Sequence, residues 1–241
     1  ERQSEARQNG APPIDIVREE LDAAMLQQEL VYNFATFFGY PQTGVVGILP
    51  ALETAGRVTT AAPPLGANGD PEEDLALFVD NFTEMIRTSI NVEKPDTIAL
   101  GTGAWIYINV TDYKTVDAGM NETLMQAIMR KLGPLGLKDI VWTPEMDYQP
   151  DQLASWVDEQ GLPQGLGEAW AGGLDQTNIM LMFAKNAKAG RMNIGKPIGA
   201  RPQQKIGERT QVTYLQSLGE FDGRRPKAYR VVKDIGPFIA P

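Results

Sequence analysis

An α+β fold is what this chain predicts, and three features of its 241 residues carry the prediction. Long stretches repeat apolar residues at helical spacing. Short β-branched or apolar runs stand between them, bounded by Gly, Pro and Asp. Neither an internal repeat nor a strict strand-helix alternation organises the two, so helices are expected among mixed strands rather than around a purely parallel sheet.

The first element is a long amphipathic helix over about 12–38. Apolar residues recur at Ile14, Val17, Leu21, Ala24/Met25, Val31, Phe34 and Phe38, while Arg18, Glu19, Glu20 and Asp22 fall mostly on other faces. At ~1.5 Å per residue it spans on the order of 35 Å. Val17, Leu21, Met25, Phe34 and Phe38 form its expected core stripe, and Gly39 and Pro41 end it. The segment Phe34 to Pro50, FATFFGYPQTGVVGILP, then turns sharply into the buried-looking Val45-Val46-Gly47-Ile48-Leu49. It reads either as a binding loop or as a structural corner.

Residues 50–70 are rich in Pro and Gly and read as strand and loop. Asp70-Pro71-Glu72-Glu73 opens a second helix, with Asp as cap, Pro at the first helical position and acids that suit the helix dipole; Leu75, Phe78, Phe82, Met85/Ile86 and Ile90 give its inner face. Asp96 to Leu100 is a short strand. Asn121 is the expected cap of a third helix, with Leu124, Met125, Ile128, Met129 and Leu132 inward and Gly133-Pro134 closing it. Strands follow at 139–142, 179–183, 211–215 and 228–233, and five glycines between Gly161 and Gly173 break the chain between the first two.

Composition narrows the chemistry. The chain has no Cys and no His, which excludes disulfides, thiolate nucleophiles, zinc ribbons and Ser-His-Asp triads, and removes the side chain that ordinarily titrates near neutrality. Its 31 acids against 22 bases, a net charge of -9, argue against a chain whose main work is gripping nucleic acid. No apolar run reaches the ~18 residues of a membrane span. Residue 1 is Glu, so a processed or trimmed chain is expected.

Two stretches imitate nucleotide motifs. Gly190 to Pro197, GRMNIGKP, matches a P-loop up to its last position, where Pro197 supplies neither the magnesium-binding hydroxyl nor a helix-opening amide; a Gly-punctuated polar loop is expected there. Gly101 and Gly103 could begin a dinucleotide fingerprint, but Ile106 stands where a third small residue is needed, and a strand-to-helix turn fits better. Glu72, Glu73 and Asp74 read as capping charges, Asp158 and Glu159 as a solvated face. The sequons at Asn81, Asn109 and Asn121 are expected to be chance. Arg191, Lys196, Arg201, Lys205 and Arg209 form a basic stripe opposed by Glu208, suited to an anionic neighbour or to an edge strand guarded by charge; Arg224 and Arg225 pose the same alternatives. No catalytic, cofactor or metal residues are expected.

In order, the helix ending in FFG, the turn into GVVGILP, the phrases EKPDTIALGTGAW (93–105) and KDIVWTPEMD (138–147), the Gly-rich loop, NIMLMFAKN and the closing GRRPKAYRVVKD resemble the major capsid proteins of tailed bacteriophages over roughly 12–234. The resemblance implies a Hong Kong 97-type capsid fold: a peripheral domain carrying the spine helix and an axial domain whose loops meet at the capsomer centre. It implies divisions at about 1–55 (peripheral, with the spine helix), 56–195 (axial) and 196–241 (return strands to the peripheral domain), and makes 34–50 the corner between domains. It leaves little room before the spine helix for the family's N-terminal arm and extended loop.

The function implied is a non-enzymatic coat subunit. It would self-assemble into pentamers and hexamers of an icosahedral head around double-stranded DNA, bound without sequence specificity, in a virion assembled in the host cytoplasm. Partners would be further copies of itself and scaffolding, portal or decoration proteins, with no cofactor and no membrane. An encapsulin-type compartment with the same fold, and more remotely an α/β nucleotide-binding enzyme, are the alternatives. Leu162, Leu166 and Trp170, apolar at every fourth residue of a Gly-rich loop, are the expected inter-subunit contacts, with Arg201, Arg224 and Arg225.

Overall fold

The computed structural model describes residues 16–40, 44–89, 93–114, 121–147, 178–185, 191–200, 204–206, 209–211, 214–222 and 225–236. Its centre is a five-stranded mixed sheet of order β3-β13-β8-β4-β7, built from β3 (Val58–Thr60), β4 (Thr97–Leu100), β7 (Asp139–Trp142), β8 (Met180–Phe183) and β13 (Tyr229–Lys233). β13 runs parallel to β3 and antiparallel to β8, while β4 is antiparallel to β8 and parallel to β7.

Strand alternation sends side chains to two separate cores. Ile98, Leu100, Met180, Met182, Ile140 and Val232 face one of them. It is completed by α3 (Pro71–Thr88), α4 (Thr102–Val110) and α5 (Leu124–Leu132) through Phe78, Phe82, Met85, Ala104, Ile108, Leu124 and Ile128. Ala99, Leu181, Tyr229 and Val231 face the other, where α1 (Ile16–Phe38) contributes Phe34 and Phe38 and α2 (Ile48–Thr54) contributes Leu49 and Leu52. The central strands β4 and β8 are thus covered on both faces, which is why they read as nearly unbroken apolar runs.

Three carboxylates tie this frame together. Asp70 caps α3 by accepting from the Glu72 N–H at 2.9 Å. Asp96 accepts from the Lys185 N–H at 2.7 Å and the Lys138 Nζ at 3.2 Å, so it joins the start of β4 to the end of β8 and the entry of β7; burial raises its pKa, and these donors outweigh that and hold it below the usual carboxylate range. Buried Asp74, which the sequence offers as one more dipole charge, accepts from the Gly66 N–H at 2.8 Å and the Tyr107 hydroxyl at 2.7 Å. It therefore clamps the 63–69 loop and α4 onto the first turn of α3.

Several expectations are corrected. Residues 50–54, read as strand and loop, instead belong to α2, which Ile48 opens after the extended Gly47, and in which Leu49 and Leu52, three apart, both bury on one helical face. The cap of α5 is Thr123, whose side chain forms a capping box with Gln126; Asn121 instead begins β6 (Asn121–Thr123), which pairs with β5 (Asp112–Lys114). Helix α3 stops at Thr88, and Ile90 lies outside the described residues.

Residues 191–200 are not a loop but the strand β9 (Arg191–Ala200), paired antiparallel with β12 (Tyr214–Asp222). The register shifts where Pro197 and Ile198 lie opposite Gln216, a place suited to a residue without an N–H, and again on either side of Leu218. The expected 211–215 strand is split: Gln211 closes β11 (Arg209–Gln211), which pairs with β10 (Gln204–Ile206), and Tyr214 opens β12. Within the closing segment, β12 lies beside the end of α1, but β13 enters the central sheet because Tyr229, Val231 and Val232 need cover on both faces.

The cap assignment is testable by thermal unfolding. Thr123→Ala is expected to destabilise the chain by about 1 kcal/mol, the usual value of a lost N-cap, whereas Asn121→Ala leaves the cap intact.

Candidate assembly interface

The corner after α1 is built by backbone contact. Strands β1 (Gly39–Tyr40) and β2 (Val45–Val46) pair in the register Gly39↔Val46 and Tyr40↔Val45, folding the chain back on itself immediately after the helix. Gly39 has φ +88, and a Cβ there would lie 2.5 Å from the Val45 carbonyl oxygen; at Gly47 one would lie 2.3 Å from the Gly39 nitrogen. No side chain fits between these strands, so both glycines are required. Phe34 and Phe38 stack at 5.7 Å and anchor the helix end in the second core. The segment is a structural corner, and of the two readings the binding loop is the one the close backbone packing disfavours.

The expected core stripe of the helix divides along its length. Phe34 and Phe38 are buried, but Met25 is 37% exposed and its neighbour Leu26 58% exposed, because the helix has left the sheet by that point. The side chains of Val17 and Leu21 lie outside the described residues. Large exposed apolar groups recur elsewhere: Val110 at the end of α4 (70%) and Trp142 at the end of the edge strand β7 (55%). The Trp142 indole N–H donates to the Thr102 hydroxyl at 3.0 Å, which holds the ring in place and leaves its face free for contact.

Of the predicted contact residues, Leu162, Leu166, Trp170, Arg201 and Arg224 lie outside the described residues. Arg225 is engaged within the chain, 3.5 Å from the buried Glu93. Missing from the sequence reading were Trp142, Val110 and Leu26, which pattern alone assigns to apolar faces, and Arg230, a cation in the apolar run YRVV whose oddity is the one signal that could have drawn notice.

Both nucleotide-like stretches are occupied by the fold. Residues 191–197 are extended in β9, so their amides serve a strand ladder instead of converging on a phosphate. The N-terminus of α4, where Gly101 and Gly103 sit, is taken by the chain's own Asp147: its carboxylate accepts from the Thr102 N–H and, at 3.4 Å, from the Gly103 N–H. A Cβ at Gly101 would fall within 2.1 Å of that carboxylate. An external phosphate would have to displace a covalently tethered anion from the helix end. Among the described residues no cluster of three metal-ligating side chains occurs, and no helix is long and apolar enough to cross a membrane.

With this geometry in hand, comparison with known proteins defines the class. No protein-family model matches the chain, and no curated protein does. Among solved structures, a chain from the capsid of Myoviridae phage XM1 matches with a TM-score of 0.65 at 14% identity, over 96% of this chain and 69% of that one. The fold is an α+β phage-capsid fold.

The clamp between Asp74 and Tyr107 generates a pH prediction. Burial and then the hydrogen bond to Asp74 push the Tyr107 phenol up to about 12, from an ordinary 10.0. Its neutral form is favoured by folding, so this contribution is present in full below pH 10 and is lost as pH rises from there through about 12. Denaturant unfolding across that window is expected to show a fall in stability that Tyr107→Phe flattens.

Proposed function

We propose that the chain is a structural coat subunit of a viral head, assembling with itself into pentamers and hexamers of an icosahedral shell that encloses double-stranded DNA without reading its sequence. The observation that carries this reading is the match to a phage capsid chain across 96% of the sequence. Supporting it, the two stretches nearest to nucleotide motifs are built into a strand ladder and a self-capped helix. The subunit is proposed to act in the virion without catalysis of its own. Assembly in the host cytoplasm, and scaffolding, portal or decoration proteins as partners, belong to the same proposal.

On this reading the fold is of the Hong Kong 97 type. The spine helix α1, the corner at 34–50 and the β9/β12 hairpin form the peripheral domain; the central sheet with α3, α4 and α5 forms the axial domain, with β13 returning to it. The divisions at 55 and 195 are proposed with that one reassignment. Contacts between subunits are proposed at Leu162, Leu166, Trp170, Arg201 and Arg224, with Arg225 held ready by Glu93, and at the exposed Leu26, Val110 and Trp142.

Electron microscopy of the protein from its native source is expected to show closed shells of five- and six-membered rings containing nuclease-protected DNA. Discrete small oligomers would overturn the reading, and shells filled with protein in place of DNA would redirect it to an encapsulin-type compartment. Trp170→Ala is expected to leave subunit stability nearly unchanged while abolishing capsomers. A loss of about 3 to 5 kcal/mol in the isolated subunit would instead mark Trp170 as intrachain core.

A further inference from the structure

Arg230 occupies a position where the strand pattern calls for an apolar residue. It follows Tyr229 and precedes Val231 and Val232, all buried, and its side chain emerges on the α3 side of the sheet. The guanidinium Nε donates to the Asn81 Oδ1 at 3.0 Å. Asn81 in turn donates its Nδ2 to the Leu77 carbonyl at 2.8 Å, so the carboxamide is held at both ends and fixes how the arginine points. Beyond this bond lies a cavity of about 340 Å³ lined by Asp80, Asn81, Thr83, Glu84, Arg87 and Arg230.

The cation is incompletely served. The ion pairs among the described residues are Arg130 with Glu122, Lys138 with Asp96, Arg225 with Glu93 and Lys233 with Glu53; none includes Arg230. Burial and then the charge of Arg57 push the Arg230 guanidinium below its ordinary pKa, and the charge of Glu84, which lines the same cavity, opposes them in part. Arg57 itself is turned to the backbone, donating to the carbonyls of Tyr229 and Lys227. With its Nε held by Asn81 and its side chain among those lining the cavity, the half-buried guanidinium presents the planar fork that suits a bidentate carboxylate.

We propose that the cavity between α3 and β13 is an inter-subunit socket, receiving an Asp or Glu side chain from a second copy of this chain, whose carboxylate pairs with the terminal nitrogens of Arg230 and with Arg87. The proposal rests on the shell-subunit reading. A second copy suits the socket because the chain carries 31 acids to 22 bases, so its surface offers carboxylates in excess. Asp80 and Glu84 line the cavity beside the two arginines and oppose any anion, but a phosphate chain, charged along its whole length, more than a single carboxylate that meets Arg230 and Arg87; this favours protein over nucleic acid as the occupant.

The test uses shells assembled from an equal mixture of ¹⁴N- and ¹⁵N-labelled chains with a photo-cross-linking amino acid in place of Thr83. Mixed-isotope cross-links to a peptide containing Asp or Glu are expected. Cross-links confined to one chain, or running to DNA, overturn the socket. In parallel, Arg230→Met is expected to keep the unfolding temperature of the subunit within about 2 °C while the assembled fraction at fixed concentration drops about tenfold, with Arg230→Lys intermediate. Shells that form equally well with R230M overturn the socket alone, whereas a wild-type chain that never associates overturns the shell reading and the socket with it. Should R230M fail to fold, the cross-link decides.

Discussion

The requirement that both faces of the five-stranded sheet be covered governs the rest of the molecule. β4 and β8 have apolar side chains on either side, so the structure needs one layer of helices against Ile98, Leu100, Met180 and Met182, and a second against Ala99, Leu181, Tyr229 and Val231. The first layer is assembled from consecutive segments, α3 through α5, which lie close in sequence and close over the sheet. The second is borrowed from the chain's beginning: Phe34, Phe38, Leu49 and Leu52 arrive from more than forty residues before β4. The long helix is therefore docked at its C-terminal end and projects from the sheet toward its N-terminus, where Met25 and Leu26 become exposed.

This docking depends on the corner. With Gly39 and Gly47 in backbone contact, the chain reverses within a few residues and delivers α2 to the face that Phe34 and Phe38 already occupy. Carboxylates then fix the loops around the sheet: Asp74 joins the 63–69 loop to α4, Asp96 joins three strands, and Asp147 closes the start of α4. In a histidine-free chain these acids have backbone amides, a phenol and a lysine for partners, so they serve as connectors. The same assignments consume the groups that a nucleotide site would have used.

Charge on the sheet face itself follows a different logic. Lys233 at the end of β13 finds Glu53 on α2 at 3.0 Å, and Arg225 finds Glu93, each satisfied across long sequence separations. Among the described residues Arg230 forms no ion pair; its Nε donates to the Asn81 carboxamide, and Glu84 acts on it through charge. Arg57 spends its donors on the backbone carbonyls of Tyr229 and Lys227, and Arg230 lines a cavity beside α3.

Local pattern alone was enough for much of this. Helical spacing in α1, α3 and α5, the Asp70-Pro71 start, the Gly39 stop and the apolar strands β4, β7 and β8 are properties of short windows, and the collinear phrases from FFG to YRVVK were sufficient to place the chain among phage capsid folds. Tertiary structure decided what depends on residues far apart. Thr123 rather than Asn121 caps α5 because the preceding residues are drawn into the β5/β6 pair; residues 191–197 are extended because β12 lies beside them; β13 joins the central sheet because both of its faces needed cover. Asp147 and Asp74 read as ordinary surface acids until the fold carries them to an amide cluster and a phenol 45 and 33 residues away. Periodicity reports which face of an element is apolar, but the partner of a buried polar group is set by long-range packing, and no local window contains that information.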